Sequence, residues 1–214
     1  MTYLFDYQYF GNVNYYFELI NTVHYKFDEY DNFQKMSFRN RCRVLGANGT
    51  IDLSIPVVGG RELKRPMREV KICYKEDWRS RHLKTLVSCY NRSPWFENYR
   101  IMFDQLYLNK NEYLIEWNKN CHNLALECLG LKSKIKLNVS NLLPESDPSD
   151  LEISIDLRNQ FLPRQPNPVN ISIKPYPQVF SDRHGFVPDL SILDLIFCEG
   201  PNAIEVLRSS ARPT

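Results

Sequence analysis

"KMSFRNRCRVLGANGTIDLSIPV", residues 35–57, holds the pattern that decides the fold class. From Arg43 to Val57 two alternating runs flank Asn48-Gly49, the residue pair that best tolerates positive φ in a tight turn, so an antiparallel hairpin is expected there. The residues before it alternate as well. Lys35, Ser37, Arg39, Arg41 and Arg43 share one parity, while Met36, Phe38, Cys42 and Val44 share the other, with Asn40 interrupting them. This period of two extends the first hairpin strand back to Lys35 and gives it a cationic ridge. Same-parity side chains lie ~6.5–7 Å apart along a strand, a spacing at which the forks of Arg39, Arg41 and Arg43 can grip a diphosphate or several phosphates. The competing reading is a solvated face whose charges keep the sheet from unwanted pairing.

Working outward, Tyr3, Phe5, Tyr7 and Tyr9 alternate into an opening strand, and Gly11-Asn12 break it. "NYYFELINT" spaces Tyr16, Phe17, Ile20 and Val23 as a short helix with Asn14 as cap, and "VHYKFDEY" returns to strand periodicity. Beyond the hairpin, the basic loop "GGRELKRP" leads to "REVKICYK", read as another strand. Asp77 caps a helix with an apolar stripe from Trp78 to Tyr90. Pro94 suits the first position of an aromatic second helix, and a third, at about residues 112–129, ends at Gly130. "KIKLNVS" and "LEISIDLR" read as strands. A Pro- and Asn-rich passage then runs from Gln160 to Pro188, and Ser191 with Asp194 marks the start of a last helical region.

The expected class is α+β: a mixed or antiparallel sheet built from N-terminal hairpins, a helical middle and a C-terminal strand-loop-helix segment. One domain over residues 1–214 is expected, with sub-lobes at 1–76, 77–130 and 131–214. The chain has 214 residues, 43% of them hydrophobic, enough to bury a substantial core.

The net charge of +2 hides a segregation. From Lys35 to Arg92 there are 14 Lys or Arg against 5 Asp or Glu, while 13 against 20 elsewhere leave the remainder at −7. A local positive field for an anionic ligand follows. With no nucleic-acid motif and a pI of only about 8.2, nucleic acid is not the expected partner. The six cysteines have no C-x-x-C spacing and the four histidines no ligand spacing, so neither a metal, a cofactor nor a disulfide framework is expected. No apolar run approaches the roughly 18–20 residues of a membrane span, and the aromatic N-terminus lacks a signal-peptide layout, so a cytoplasmic protein is expected.

His82, four residues after Trp78 at the edge of its helix stripe, is the candidate general acid or base, because histidine titrates nearest neutrality. The bland alternative is a hydrogen-bonded boundary residue. The aromatic cluster Tyr7, Tyr9, Phe10, Tyr15 and Tyr16 offers flat platforms for sugar or base rings, and equally well offers core. No Walker A, G-x-G-x-x-G, G-x-S-x-G or H-E-x-x-H motif occurs, which removes the usual support for the common nucleotide-binding and hydrolase mechanisms.

Three passages, "QKMSFRNRCRVLGANGTIDLSIPV", "DWRSRHLKTLVSCYNRSPWFENY" and "YPQVFSDRHGFVPDLSILDLIFCEGP", together resemble the WbqC-like family, which is often encoded with bacterial surface-polysaccharide genes. The long middle and the "LSILDLIF" ending resemble its Bacteroidetes branch. The resemblance implies a role around O-antigen or capsule sugar assembly without fixing a reaction. Gln8, Lys35, Asn40, Arg41, His82, Tyr90, Tyr176 and Gln178 occupy motif positions. The expected site joins those residues with Arg39 and Arg43. His82 serves as catalyst and the others bind a nucleotide-linked or phosphorylated sugar in a transferase. The alternative is a non-catalytic binding or assembly protein docking an anionic glycan or an acidic protein partner.

Overall fold

The alternation that opens the chain makes β1 (Thr2–Asp6), which is shorter than the run of tyrosines suggests. The computed structural model describes residues 2–59, 65–131, 153–163 and 171–211. Asn12 rather than Asn14 caps α1 (Val13–Asn21): its side chain accepts from the Tyr15 backbone N–H at 2.9 Å, while Asn14, inside the first turn, reaches across to Asp189. A helix between two strands returns the chain to the end where it began, so β2 (Tyr25–Asp28) pairs parallel with β1, from Tyr3↔Tyr25 to Asp6↔Asp28. The late strand, labelled β5 (Ile153–Asp156), lies parallel on the other edge of β1, giving the order β2-β1-β5. The first two strands are thus joined by a βαβ crossover, and hairpin geometry is confined to the next pair.

That pair is β3 (Arg41–Gly46) and β4 (Gly49–Ser54), antiparallel from Arg41↔Ser54 to Gly46↔Gly49, with Gly49 at φ +114°. The strand does not reach back to Lys35. Met36 sits at φ +58°, the Ser37 hydroxyl donates to the Gln34 carbonyl at 2.6 Å, and the Arg39 N–H donates to the Ser37 hydroxyl at 3.2 Å. These local bonds give the backbone an alternative to a ladder and turn residues 34–39 away from the sheet. "REVKICYK" is likewise not a strand. Residues Met67–Glu69 form a 3-10 turn, and the extended piece behind it divides its bonds between two short loops, Cys73 N–H to Pro56 on one side and Ile72 N–H to Glu112 on the other. The strand expected in "KIKLNVS" lies outside the described residues.

The helices follow the apolar spacing. α2 (Trp78–Tyr90) is capped by the Asp77 side chain, which accepts from the Ser80 N–H. Next come α3 (Phe96–Leu108), which starts two residues beyond Pro94, and α4 (Leu114–Cys128), closed by Gly130 at φ +72°. After the one-turn α5 (Ser181–His184), α6 (Ile192–Glu199) is capped by Ser191 and α7 (Ala203–Ser209) ends the described chain. Gly200 between the last two is required twice over: its φ is +55°, and a Cβ there would lie 2.2 Å from the Trp95 ring. One hydrophobic cluster runs from Phe5 to Leu207 and includes residues of every helix except α5. The chain is α+β, with one small parallel sheet and one antiparallel hairpin set among helices.

Candidate functional site

Strand register separates the three arginines of the ridge. Arg43 and Arg41 are in β3, and each faces a cross-strand partner on β4. The partner of Arg43 is Asp52, which takes its Nε at 2.8 Å and its terminal nitrogen at 3.2 Å. The partner of Arg41 is Ser54, which carries no charge. Arg39, two residues before the strand, is fully buried, so the three guanidinium groups do not converge on one pocket.

Arg41 instead joins Lys35, Asn40, Ser54 and Arg81 in lining a groove of about 630 Å³, whose remaining lining is apolar, with Phe33, Met36, Ile55, Pro56 and Val57. Neither Lys35 nor Arg41 forms an ion pair among the described residues, and the Arg41 Nε is shielded from solvent with no hydrogen-bond partner there. Arg81 is paired with Glu76 at an exposed position. Asn40 fixes the groove floor: its side chain donates to the Ile55 carbonyl at 2.9 Å, and its carbonyl accepts from the Ile55 N–H at 2.8 Å. Met36, at the lip, holds a positive φ that costs an L-residue ~1–2 kcal/mol and leaves its side chain 54% exposed. Strain of this kind concentrates where function over-determines the backbone.

Gln8 and Arg39 are drawn to a different place. All three parallel strands end in an aspartate, Asp6, Asp28 and Asp156, at the edge where open α/β sheets usually take ligands. Here the chain's own cations fill it. Arg39 pairs with Asp31 and, at 3.5 Å, with Asp6, and it donates to Asn159 at 2.8 Å; Arg158 pairs with Asp28 and Asp156. Burial pushes the Asp6 carboxyl up, partly offset by Arg39, the Asn159 N–H and Gln8. At the half-exposed Asp31 burial again acts upward, but Arg39, Asn159 and Arg158 together outweigh it and hold the carboxyl below its ordinary range.

His82 is buried. Its Nδ1 lies 3.0 Å from the Tyr9 hydroxyl, which also bonds the Tyr107 hydroxyl, and the ring lies near the backbone of Ser54. Burial lowers its pKa to about 4, so near neutrality it is an uncharged tie between α2 and β4. Tyr90, Tyr176 and Gln178 form a third group: each donates a hydrogen bond of 2.8–2.9 Å to the carboxylate of Asp194, buried at the first turn of α6. Burial raises the Asp194 carboxyl against these three donors. Tyr7, Tyr9, Phe10, Tyr15 and Tyr16 are core.

The structure therefore brings together Lys35, Asn40 and Arg41 and places Gln8, Arg39, Arg43, His82, Tyr90, Tyr176 and Gln178 elsewhere. Sequence reasoning missed the apolar wall of the groove. The "SIP" that ends β4 carries its signal, since proline stops the ladder and turns the chain. Among the described residues no group of three or more His, Cys, Asp or Glu side chains is placed to hold a metal ion, and no helix is long and apolar enough to cross a membrane. All six cysteines are free thiols, and all but Cys73 are buried.

Fold and groove together define an α+β chain with a cation-lined cleft between a β-hairpin and a helix. The model of the WbqC-like protein family matches residues 9–164, and the chain belongs to that family. No curated protein and no solved structure matches it.

Proposed function

We propose that this chain binds a nucleotide-linked or phosphorylated sugar in the groove beside Arg41 and acts on it as a transferase-like protein of surface-polysaccharide biosynthesis, O-antigen or capsule, in the cytoplasm. One observation carries the reading: two cations without ion pairs among the described residues, Lys35 and Arg41, line a cleft of ligand size together with apolar side chains. Guanidinium and ammonium groups take phosphate oxygens, and the wall of Phe33, Met36 and Pro56 suits an aromatic or aliphatic group attached to them. The residues lining the groove include no carboxylate, histidine or cysteine. Catalysis there rests on positioning and on stabilising the leaving phosphate.

That same lining supports the second reading, a non-catalytic protein that docks an anionic glycan or an acidic protein partner, because neither needs a proton donor. Calorimetric titration against a panel of nucleotide-sugars separates the two. Micromolar binding to wild type that is lost in Arg41→Ala supports the ligand site, and silence across the panel points to a macromolecular partner.

A further inference from the structure

A second groove opens along the same seam. The hairpin lies along α2, with β3 packed against the helix: Arg81 and Ser54 line the first groove near the start of α2, while the Leu45 N–H of β3, beside the hairpin turn, donates to Tyr90 at its end. The anion groove closes on Arg81 at one end of the seam. At the other, a groove of about 620 Å³ lies between the turn, with Asn48, Thr50 and Ile51, and the helix, with Lys84, Thr85 and Ser88. Arg81, Lys84, Thr85 and Ser88 fall at i, i+3, i+4 and i+7, one face of the helix. At 1.5 Å per residue Thr85 is ~6 Å and Ser88 ~10 Å along the axis from Arg81.

The two grooves differ in chemistry. The first offers cations and an apolar wall; the second offers hydroxyls, a carboxamide and one ammonium around the partly exposed Ile51. The Thr85 hydroxyl donates to the Arg81 carbonyl at 2.9 Å, which leaves its oxygen to accept. The side chains of Asn48, Thr50 and Ser88 make no hydrogen bond among the described residues; Asn48 stands on the tight turn, Thr50 on β4 and Ser88 on α2. Exposed donors and acceptors around the Ile51 side chain suit a hexose ring, with hydroxyls around its rim and C–H groups on its face.

We propose that the second groove seats the uncharged sugar of the ligand whose phosphates lie against Arg41 and Arg81. This rests on the phosphate-binding reading of the first groove and adds where the sugar goes and what selects it. Thr85, one helical turn from Arg81, is within reach of a sugar joined to a diphosphate at Arg81, so the proposed ligand is a nucleoside diphosphate carrying a single sugar.

The test uses UDP, GDP and dTDP, each alone and as its hexose conjugate, titrated into the whole chain and into Thr85→Val/Ser88→Ala, with backbone amide signals followed in parallel. The sugar is expected to tighten binding about 5- to 10-fold over the matching nucleoside diphosphate, a gain the double variant loses while its affinity for the bare diphosphate is unchanged. Amides of Asn48, Thr85 and Ser88 shift with the conjugate only, and those of Asn40 and Arg41 with both. A sugar gain that survives in the double variant overturns the second groove and leaves the first intact. If no diphosphate binds at all, the phosphate reading fails. Free glucose, galactose and N-acetylglucosamine then decide the second groove alone: shifts at Thr85 and Ser88 sustain it, and stationary signals overturn it.

Discussion

Arg39 and Arg41 are two residues apart, yet one is fully neutralised and the other is not. At the C-terminal edge of the parallel sheet, Arg39 is fully buried, pairs with Asp6 and Asp31 and donates to Asn159, so it is closed to a ligand. In the groove, Arg41 faces Ser54, is only partly buried and forms no ion pair among the described residues; the Nε of both arginines lacks a hydrogen-bond partner there, so ion pairing and burial set the two apart. The position that usually binds ligands in parallel sheets has been closed by the chain's own ion pairs, and the cation without an ion pair among the described residues lies on the hairpin. A positive residue is available to a ligand when its neighbours do not already answer it. Residue type alone does not determine that.

The largest effect should come from the committed side. Arg39→Ala leaves Asp6 buried without its cation, and breaking a buried pair costs ~3–5 kcal/mol, read as a large fall in the urea midpoint. A loss below about 1 kcal/mol would mean that the cluster is not what ties the strand ends together.

On the uncommitted side, Arg41→Ala should leave stability within ~0.5 kcal/mol and weaken nucleoside diphosphate binding ~10- to 100-fold, the worth of a charge-assisted hydrogen bond. Arg43→Ala, already answered by Asp52, should leave that affinity unchanged. Calorimetry on the two variants sharpens the contrast, and equal losses would erase it.

Burial of neutral histidines makes the interior acid-sensitive. His82 is lowered to about 4 and His122 to about 3, both by desolvation. The unfolded chain takes up these protons near pH 6.5 and the folded chain only below about 4. Their stabilisation is therefore present above pH 6.5 and is lost as pH falls toward 4, by up to ~1.4 kcal/mol per pH unit for each group. Asp6 and Asp194, whose carboxyls are raised, act in the opposite sense. Their contribution is present below the ordinary aspartate range and fades as pH rises through their folded values, so they blunt the acid loss at its lower end. The His122 Nδ1 has no partner among the described residues, and the ring is packed by Tyr16 and Phe27. His122→Phe should cost no more than ~1.5 kcal/mol at pH 7 and reduce the slope of stability between pH 6.5 and 4.5, measured by denaturation at the two pH values.

The smallest effect is expected at the lip. Met36→Gly relieves the left-handed backbone, offset by the greater freedom of glycine when unfolded, for a net change within ~1 kcal/mol. It should weaken ligand binding by removing part of the apolar wall.

Much of this arrangement was legible in the sequence. Asn48-Gly49 announced the hairpin, and the caps at Asp77 and Ser191 placed two helices to within a residue. Strand periodicity at Lys35–Asn40 misled because the Ser37 hydroxyl and the positive φ at Met36 bend the backbone, and neither leaves a mark on alternation. The sorting of the ridge could not be read at all. It depends on β4 placing Asp52 opposite one arginine and Ser54 opposite another, and on Asp6, Asp31 and Asn159 meeting around a third from points up to 153 residues apart in the chain. Side chains named together by motif, such as Tyr90, Tyr176 and Gln178, do come together, but around Asp194 in the interior.

The most direct measurement follows the guanidinium Nε–H signals of the arginines while UDP is titrated into the chain. The account predicts that Arg41 shifts first and saturably, followed by Arg81, with Arg39 and Arg43 stationary. Movement of Arg39 or Arg43 while Arg41 stays still would contradict it.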